Sequence, residues 1–287
     1  MDLAEELVVA LPEEVQIEPT GPGRYGPAQS PAFMCFDTFR RLLDQFSAAR
    51  VLRLQGAGEP LAHPRFFDMV RYAAGRGMQV SALTALPPLS PYRAEECAKS
   101  GLQHLDIVFP AASAPAIFWR TVAHLQKAKK TLGAVMPWLR LVVPAQRTDE
   151  IGPALRLAGE RGLDGVCVQH LPGPRAQKTR RPSAEDLAQA AALADELGVR
   201  LDLPERAGAG CDAPTRCAYI NYYGRARPCP MVTAADRLSF GNMSRDGAVR
   251  IWNSDGYREF RARLASDAPP AVCRGCTAYR AGSGADL

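Results

Sequence analysis

From about residue 13 to residue 203, segments with the apolar spacing of a helix alternate with short apolar segments typical of strands. Segments such as 36–46 and 66–74 place apolar side chains three and four positions apart, the spacing of an amphipathic helix. Short apolar runs such as 51–54 lie between them and are typical of buried strands. The pattern predicts strands at 15–18, 51–54, 78–83, 105–109, 138–143, 165–170 and 199–203. It predicts helices at 36–46, 66–74, 91–99, 114–131, 149–160 and 183–197.

Strands that alternate with helices in this way predict an α/β fold with a parallel sheet. Because crossovers between parallel strands are right-handed, such units wind into either a barrel or a doubly wound open sheet. The periodicity is the same in both folds, so it does not choose between them.

Composition narrows the class of protein. A chain of 287 residues with 47% hydrophobic residues predicts a soluble globular protein with one large domain or two modest ones. The acidic start, residues 1–6, does not resemble a signal peptide, and no apolar run approaches the length of a membrane span. The cytoplasm is therefore the expected location. The net charge of +5 comes from arginines interleaved with acids, so we expect neither nucleic-acid nor membrane partners.

Cysteines are concentrated in the last quarter of the chain. Two of them form a Cys-x-x-Cys pair, and a segment with strand character and a turn at Tyr223-Gly224 predicts a hairpin before it. Four thiolates suit one tetrahedral zinc or one iron–sulfur cluster, and the spacing leaves both open. A disulfide framework is not expected in a long chain without a secretory signal. The cysteines of this region are Cys211, Cys217, Cys229, Cys273 and Cys276.

The order of residues around these cysteines resembles the auxiliary-cluster module, called SPASM or twitch, that follows the barrel of many radical S-adenosylmethionine enzymes. The resemblance covers about the last third of the chain. The residues that carry it are Cys211, Pro214, Ile220, Gly224, Pro228, Cys229, Gly241, Asn242, Ile251, Trp252, Asn253, Tyr257, Phe260, Arg261, Leu264, Cys273 and Cys276.

This resemblance implies one [4Fe-4S] cluster in place of zinc, with Cys211, Cys229, Cys273 and Cys276 as its ligands. Cys217 falls where the family pattern has no ligand, so we interpret it as a small buried residue. A unit of this size with few apolar residues usually needs a metal in order to fold.

The segment 56–64, after the second predicted strand, resembles the Gly-Gly-Glu loop with which radical S-adenosylmethionine enzymes hold the methionine part of the nucleotide. The resemblance implies Gly58, Glu59 and Pro60 as cofactor-binding residues and assigns His63 to the structure of the loop. It also implies a partial (β/α)6 barrel over residues 1–205, followed by a small cysteine-rich domain over residues 206–287, with ligands at the carboxyl ends of the barrel strands.

The chain departs from the family at the first loop of the barrel. The family places a Cys-x-x-x-Cys-x-x-Cys motif there to hold the cluster that cleaves S-adenosylmethionine, but segment 19–34 contains no cysteine. Only Cys35 follows it, so we interpret 19–35 as a degenerate catalytic loop. Polar residues of relatives are also replaced by apolar ones after the third strand (84–86) and after the fourth (109–111).

Three hypotheses follow. In the first, the chain is a degenerate family member with one auxiliary cluster and weak or absent S-adenosylmethionine binding, which serves a catalytically active partner protein or a peptide substrate by binding it or passing electrons. In the second, it is an active radical enzyme whose missing cluster ligands come from elsewhere. In the third, it is a structural module whose tail binds zinc. The sequence assigns no catalytic residue.

Overall fold

One sheet of ten strands runs through the part of the chain that the structure describes. The computed structural model describes residues 9–22, 32–110, 114–134, 136–145, 147–171, 183–203, 211–232, 238–274, 276 and 278–279. The strands are β1 (Glu14–Ile17), β2 (Val51–Leu54), β3 (Gln79–Thr84), β4 (His104–Val108), β5 (Trp138–Pro144), β6 (Gly165–Gln169), β7 (Leu201–Asp202), β8 (Cys217–Ile220), β9 (Arg225–Arg227) and β10 (Gly241–Asn242). Their order in the sheet is β10-β9-β8-β1-β2-β3-β4-β5-β6-β7.

Six helices connect β1 to β7, and five more follow among the described residues. The helices are α1 (Phe36–Asp44), α2 (Phe66–Ala74), α3 (Pro91–Lys99), α4 (Ala116–Leu132), α5 (Ile151–Arg161), α6 (Ala184–Leu197), α7 (Ala213–Arg216), α8 (Met243–Asp246), α9 (Ala248–Trp252), α10 (Asp255–Leu264) and α11 (Ala271–Arg274). Strands β1 to β7 pair in parallel, each with its successor. The expected α/β fold with a parallel, partial barrel is confirmed.

Local signals explain where the helices begin and end. Ser183 accepts a hydrogen bond from the backbone N–H of Asp186, whose side chain bonds back, so a capping box starts α6 at the predicted position. Helix α4 ends at Gly133, which has a left-handed backbone with φ 59°. The bounds of β2, α2 and α3 agree with the prediction, whereas β7 is shorter than expected and residues 148–150 form a separate 3₁₀ turn.

The two faces of the parallel strands have opposite character. Residues such as Val15, Leu52 and Val80 belong to one buried apolar core. The alternate residues include polar ones, because successive side chains point to opposite faces of a strand. On that polar face Arg140 of β5 donates to Asp106 of β4, with Nε–Oδ1 at 2.7 Å, and to Asp202 of β7 at 2.6 Å. The interior of the barrel is therefore filled partly by a bonded ionic network.

The predicted hairpin of the cysteine region exists as β8 and β9, which pair antiparallel. Strand β8 also pairs in parallel with β1, in a register that sets Glu14 opposite Cys217 and Ile17 opposite Ile220. Trp252 and Tyr257 belong to the same apolar core as the barrel strands. The boundary between residues 205 and 206 stays a prediction, but the hairpin is joined to the barrel by main-chain hydrogen bonds.

Among the residues that the structure describes, no helix combines the length and the apolar character that crossing a membrane requires.

Candidate cofactor sites

A cavity of about 770 Å³ lies at the carboxyl ends of the barrel strands, where the hairpin approaches them. Glu18 follows β1 at the cavity wall, Ala57 follows β2, and Tyr219 of β8 stands opposite. Tyr222, Tyr223, Arg225 and Arg227 also line the cavity. Gly56 and Ala57 of the loop after β2 line the cavity, whereas the expected cofactor-binding residues Gly58, Glu59 and Pro60 are not among its lining residues.

The carboxylate of Glu18 is buried and bonded within the chain. Its Oε1 accepts hydrogen bonds from the backbone N–H of Ala57, at 3.0 Å, and from the hydroxyl of Tyr219. Burial raises the pKa of Glu18 above its ordinary value, and the bond from Tyr219 lowers it in part. Burial and the neighbouring carboxylate of Glu18 likewise raise the pKa of Tyr219.

Glu59, an expected cofactor-binding residue, is also bonded within the chain. Its Oε1 accepts from the backbone N–H of Leu61 at 2.9 Å and from the hydroxyl of Thr84 at 2.6 Å. Its Oε2 accepts from the backbone N–H of Ala85 at 2.9 Å. Burial raises the pKa of Glu59, and these bonds lower it in part. The side chain of Glu59 thus ties the loop after β2 to the end of β3.

Gly58 and Pro60 complete this expected set. A Cβ on Gly58 would lie 2.3 Å from the carbonyl oxygen of Gly21, so the backbone after β1 packs directly on this glycine. Pro60 is buried and begins a short 3₁₀ turn. The glycine is required by the packing of the first loop, whether or not a ligand binds there.

Two neighbouring residues support the same loop. A Cβ on Gly56 would lie 2.1 Å from Cγ of Glu18, so the side chain of Glu18 fills that space. His63 is buried: its Nε2 bonds the carbonyl of Met34 at 2.9 Å and its Nδ1 accepts from the backbone N–H of Arg65 at 3.0 Å. The structural role expected for His63 agrees with these bonds.

The other departures from the family lie at the same end of the barrel. Thr84 and Ala85 hold Glu59, and Leu86 has a left-handed backbone with φ 57°. Phe109 and Pro110 are described, whereas Ala111 and residues 23–31 of the first loop lie outside the described residues. Cys35 is exposed at the start of α1 and makes no side-chain cap bond.

The four expected cluster ligands are half-buried cysteines, and none of them forms a disulfide with another described cysteine. Cys211 precedes α7, Cys229 follows β9, and Cys273 and Cys276 lie in and just after α11. The N–H of Cys276 donates to the carbonyl of Cys273 at 3.0 Å, so these two lie within one turn.

The thiols of Cys211, Cys229 and Cys276 influence one another electrostatically. Burial, then the negative charge of neighbouring thiolates, raises the pKa of Cys229 to about 12, and the pKa of Cys211 is raised for the same reasons. Within the part of the chain that the structure covers, no group of three His, Cys, Asp or Glu side chains is arranged to hold a single metal ion. The donor set of thiols without disulfides nevertheless has the chemistry that an iron–sulfur cluster requires.

Cys217 lies in a different environment. Burial raises its pKa to about 12, and the charged groups that act on it are mainly Glu14 and Arg53 of the barrel interior. The structure thus separates Cys217 from the electrostatic group of Cys211, Cys229 and Cys276.

Three polar residues of α9 and α10 have a feature that the sequence did not reveal. The buried atoms Nε1 of Trp252, the hydroxyl oxygen of Tyr257 and Nη1 of Arg261 have no hydrogen-bond partner among the described residues. We call these three residues the donor cluster. All three residues also contribute to the family resemblance, but the absence of hydrogen-bond partners among the described residues is visible only in the structure.

The members of the donor cluster touch one another. The rings of Trp252 and Tyr257 have centroids 4.8 Å apart, and the guanidinium of Arg261 lies 4.5 Å from each ring centroid. Burial raises the pKa of Tyr257, and the thiols of Cys217 and Cys229 raise it further. Burial lowers the pKa of Arg261.

Comparisons with known proteins agree with this architecture. The model of the SPASM family, an iron–sulfur cluster-binding domain, matches residues 211–277. The chain is 23% identical to the tungsten-containing aldehyde ferredoxin oxidoreductase cofactor-modifying protein of Pyrococcus furiosus, over 79% of this chain and 75% of that protein. It is 26% identical to a PqqA peptide cyclase of Streptomyces rochei, over 79% of this chain and 68% of that protein.

Among solved structures, the chain is similar to SuiB of Streptococcus suis bound to its precursor peptide SuiA. The TM-score is 0.70 at 12% identity, and the match covers 96% of this chain and 71% of that one. The same protein has also been solved bound to S-adenosylmethionine. At this identity the likeness concerns the fold.

Proposed function

Because residues 211–277 match the SPASM family and most of the chain is similar to the relatives described above, we propose that it is an iron–sulfur protein of the radical S-adenosylmethionine superfamily that has lost the radical reaction. In this proposal it holds one auxiliary cluster, does not cleave S-adenosylmethionine by itself, and serves a partner protein or a peptide by binding it or by passing electrons. The cytoplasm is its expected location.

The observation that carries the proposal is the internal bonding of Glu59. A carboxylate that is to hold the ammonium group of an amino acid needs acceptor positions that face the cavity. Both oxygens of Glu59 instead accept bonds from Thr84, Leu61 and Ala85. Three of the about four acceptor positions of this carboxylate are therefore occupied, and the one left on Oε2 supports at most weak binding of an ammonium group.

The first loop supports the proposal independently. Reductive cleavage of S-adenosylmethionine in this superfamily requires three cysteines that leave one iron open to the nucleotide, and segment 19–34 has none. The single thiol of Cys35 is no substitute for three. The residues that the chain offers at the barrel mouth, by which we mean Glu18, 56–59, Thr84 and Ala85, therefore do not fit that cluster.

The cysteine-rich C-terminal segment fits an iron–sulfur cluster better than the barrel mouth does. Cys211, Cys229, Cys273 and Cys276 would hold it, and such a cluster accepts and donates single electrons when bound. Four protein ligands leave no iron open for a nucleotide, so the residues here suit storage or transfer of electrons. Zinc on the same thiolates is the alternative that metal analysis distinguishes.

A peptide is the partner that the cavity suits best. Its wall combines the aromatic rings of Tyr222 and Tyr223 with the guanidinium groups of Arg225 and Arg227. Tyr223 and Arg225 are exposed, so both are accessible to a ligand. Relatives named for work on peptides, the PqqA peptide cyclase and SuiB with SuiA, support this class of partner.

The test is anaerobic incubation of the reconstituted chain with dithionite and S-adenosylmethionine, scored for 5′-deoxyadenosine. We expect no turnover above that of a Cys229→Ser variant, which lacks the tail cluster. Turnover by the chain alone that disappears in Cys229→Ser would contradict the proposal. Turnover only when a partner protein is added, and retained when that partner's own cluster ligands are removed, would favour an active enzyme completed from elsewhere.

A further inference from the structure

The turn between β8 and β9 is fixed by hydrogen bonds at the wall of the large cavity. Oδ1 of Asn221 accepts from the backbone N–H groups of Tyr223 and Arg225, both at 3.0 Å. Nδ2 of Asn242 donates to the carbonyl oxygen of Tyr223 at 2.9 Å, which ties the turn to β10. Gly224 supplies the left-handed backbone of the turn, with φ 76°. The side chains of this turn therefore project from a backbone whose conformation is set before any ligand binds.

Two tyrosines of this turn form an aromatic pair at the cavity wall. The ring centroids of Tyr222 and Tyr223 are 4.3 Å apart, and Tyr223 is 61% exposed. Tyr222 packs against the first loop, where a Cβ on Gly21 would lie 2.5 Å from Cζ of its ring. Exposed aromatic side chains on a fixed backbone are typical of binding surfaces, because they have few rotatable bonds to immobilise.

Arg225 has a charge that the described chain does not neutralise. Its guanidinium makes no hydrogen bond or ion pair with a described residue, and only its backbone is bonded. Arg227 lies two positions along β9 and lines the same cavity, but its Nη1 donates to the carbonyl oxygen of Val232 at 3.2 Å. Glu18 is the one acid among the described lining residues, and its Oε1 accepts bonds from within the chain. The wall around Arg225 is therefore positively charged.

A smaller cavity of about 150 Å³ adjoins the large one, since Arg225 and Ser239 line both. Arg245 also lines the small cavity. Its guanidinium forms two bonds with Asp246, from Nε to Oδ1 at 2.9 Å and from Nη2 to Oδ2 at 3.1 Å. The charge of Arg245 is thus balanced by its neighbour, whereas that of Arg225 is available to a ligand in either cavity.

These groups define the chemistry of a ligand. A guanidinium stays charged at any physiological pH and binds a carboxylate through two parallel hydrogen bonds. The apolar residues Leu83, Val108 and Leu171 line the same large cavity. A peptide segment with an acidic residue beside an apolar one matches both features. The net charge of +5 also attracts an acidic partner.

We propose that the large cavity binds a peptide through an acidic residue whose carboxylate pairs with Arg225. An apolar side chain next to that residue packs against the wall that Leu83, Val108 and Leu171 form. Arg225 is thereby the residue that selects acidic peptides. The inference rests on the peptide partner of the proposed function and names its class, and it does not depend on the cluster.

Arg225→Gln and matched pairs of peptides test the inference. The reconstituted protein is applied to an array of blocked octapeptides in which each sequence occurs with glutamate and with glutamine at its centre, next to leucine. The pair that binds best is then measured in solution by fluorescence polarisation. We expect the glutamate peptide to bind wild type about fivefold more tightly than the glutamine peptide, and this ratio to fall to about one in Arg225→Gln. Arg225→Lys, which keeps the charge but not the two parallel bonds, should recover part of the ratio.

Arg263→Gln is the matched control, because it removes the same charge from an exposed residue of α10 that is not among the lining residues of either cavity. It should keep the wild-type ratio, which separates pairing with Arg225 from general attraction by net charge. Thermal unfolding of each variant checks that the fold is retained, and we expect little change because both arginines are exposed.

The outcomes separate the two proposals. A failure of both peptide series to bind, a wild-type ratio near one, or a ratio that persists in Arg225→Gln overturns the inference and leaves the proposed loss of the radical reaction standing. Inorganic phosphate that binds wild type but not Arg225→Gln, without any preference for glutamate peptides, would assign a phosphate ligand and also overturn the inference. Formation of 5′-deoxyadenosine by the chain alone overturns the proposed function, while the peptide ratio still decides the inference.

Discussion

The barrel mouth and the cysteine tail (residues 211–279) both bury polar groups, and they treat them in opposite ways. At the barrel mouth, Oε1 of Glu18 and both carboxylate oxygens of Glu59 accept hydrogen bonds from Tyr219, Thr84 and backbone N–H groups of the chain. In the tail, three buried polar atoms have no hydrogen-bond partner among the described residues, and burial raises the pKa of the thiols of Cys211 and Cys229.

At the barrel mouth, the protein's own groups supply the hydrogen bonds of the buried carboxylates. In the tail, buried polar groups need a group from outside the polypeptide to complete their bonds. Burying a polar group without a bond is costly, so folding favours sequences that satisfy it from within unless a ligand does so. The barrel mouth has a fold similar to that of its relatives, but the chain's own groups donate hydrogen bonds to the carboxylates of Glu18 and Glu59. The tail retains buried polar atoms that have no partner among the described residues, together with the four cysteines that we propose as cluster ligands.

The largest expected effect concerns the ligands of the tail. Cys229→Ser should abolish the visible charge-transfer absorption of thiolate-bound iron and most of the bound iron, because it removes one of four thiolates. Cys217→Ala is the matched control and should keep iron content near that of the wild type, since this thiol lies beside Glu14 and Arg53. Both are measured by iron analysis after anaerobic reconstitution. If Cys217 proves essential and Cys211 dispensable, the proposed ligand set is wrong.

A large effect is also expected when the metal is removed from an intact chain. Metal-binding free energy contributes to folding where the site does not exist in the unfolded state. We expect hydrogen exchange in the metal-free protein to accelerate most in 238–274, while β8 stays protected because it pairs with β1. Proteolysis should likewise cut the tail before the barrel. Equal protection of 238–274 with and without metal would show that the tail folds unaided.

The sequence alone predicted those parts of the fold that local signals determine, and missed those that depend on distant residues. The bounds of β2, α2 and α3 depend on local periodicity and on residues such as Ser90 and Gly101, so the pattern alone located them. The pairing of β8 with β1 joins residues 203 positions apart for the pair Glu14 and Cys217 (217 − 14), and no local signal encodes it.

The sites show the same division. The resemblance to a known family selected Glu59 and the four cysteines, since it depends on the order of residue types along the chain. The hydrogen bond from Thr84 to Glu59 joins the end of β3 to the loop after β2. The hydroxyl of Tyr257 is buried without a hydrogen-bond partner among the described residues. Neither follows from a pattern of residue types along the chain.

A moderate effect should follow from changing the internal bonds of the barrel mouth. Thr84→Val removes the hydroxyl that donates to Oε1 of Glu59 and accepts from the N–H of Leu86. We expect the free energy of unfolding to fall by about 1–3 kcal/mol, with iron content unchanged. Thr131→Val, at an exposed position of α4, is the control and should change stability little. Chemical denaturation measures both, and equal stability of the two variants would show that Glu59 does not depend on Thr84.

The smallest effect is a dependence of stability on pH. Burial raises the pKa of Glu18 and Glu59 above the ordinary value of 4.5, so the folded chain holds these protons more tightly than the unfolded one. Their contribution is fully present below pH 4.5 and is lost as the pH rises through the folded pKa values. Each group contributes at most about 1.4 kcal/mol per pH unit.

The double variant Glu18→Gln, Glu59→Gln should remove this decline, because amides do not titrate. Urea unfolding in steps upward from pH 4.5, compared with the wild type, isolates the two carboxylates from the histidines that titrate in both proteins. Parallel curves for the two proteins would mean that the carboxylates titrate alike in the folded and unfolded chains.

The central claim is that the chain holds one cluster, in its tail, and none in its barrel. The most direct test counts iron and acid-labile sulfide per chain after anaerobic reconstitution, with Mössbauer spectra to identify the cluster type. The account predicts about four iron atoms and about four sulfides per chain, all lost in Cys229→Ser. About eight iron atoms per chain, or about four that remain in Cys229→Ser, would contradict it by placing a cluster outside the tail.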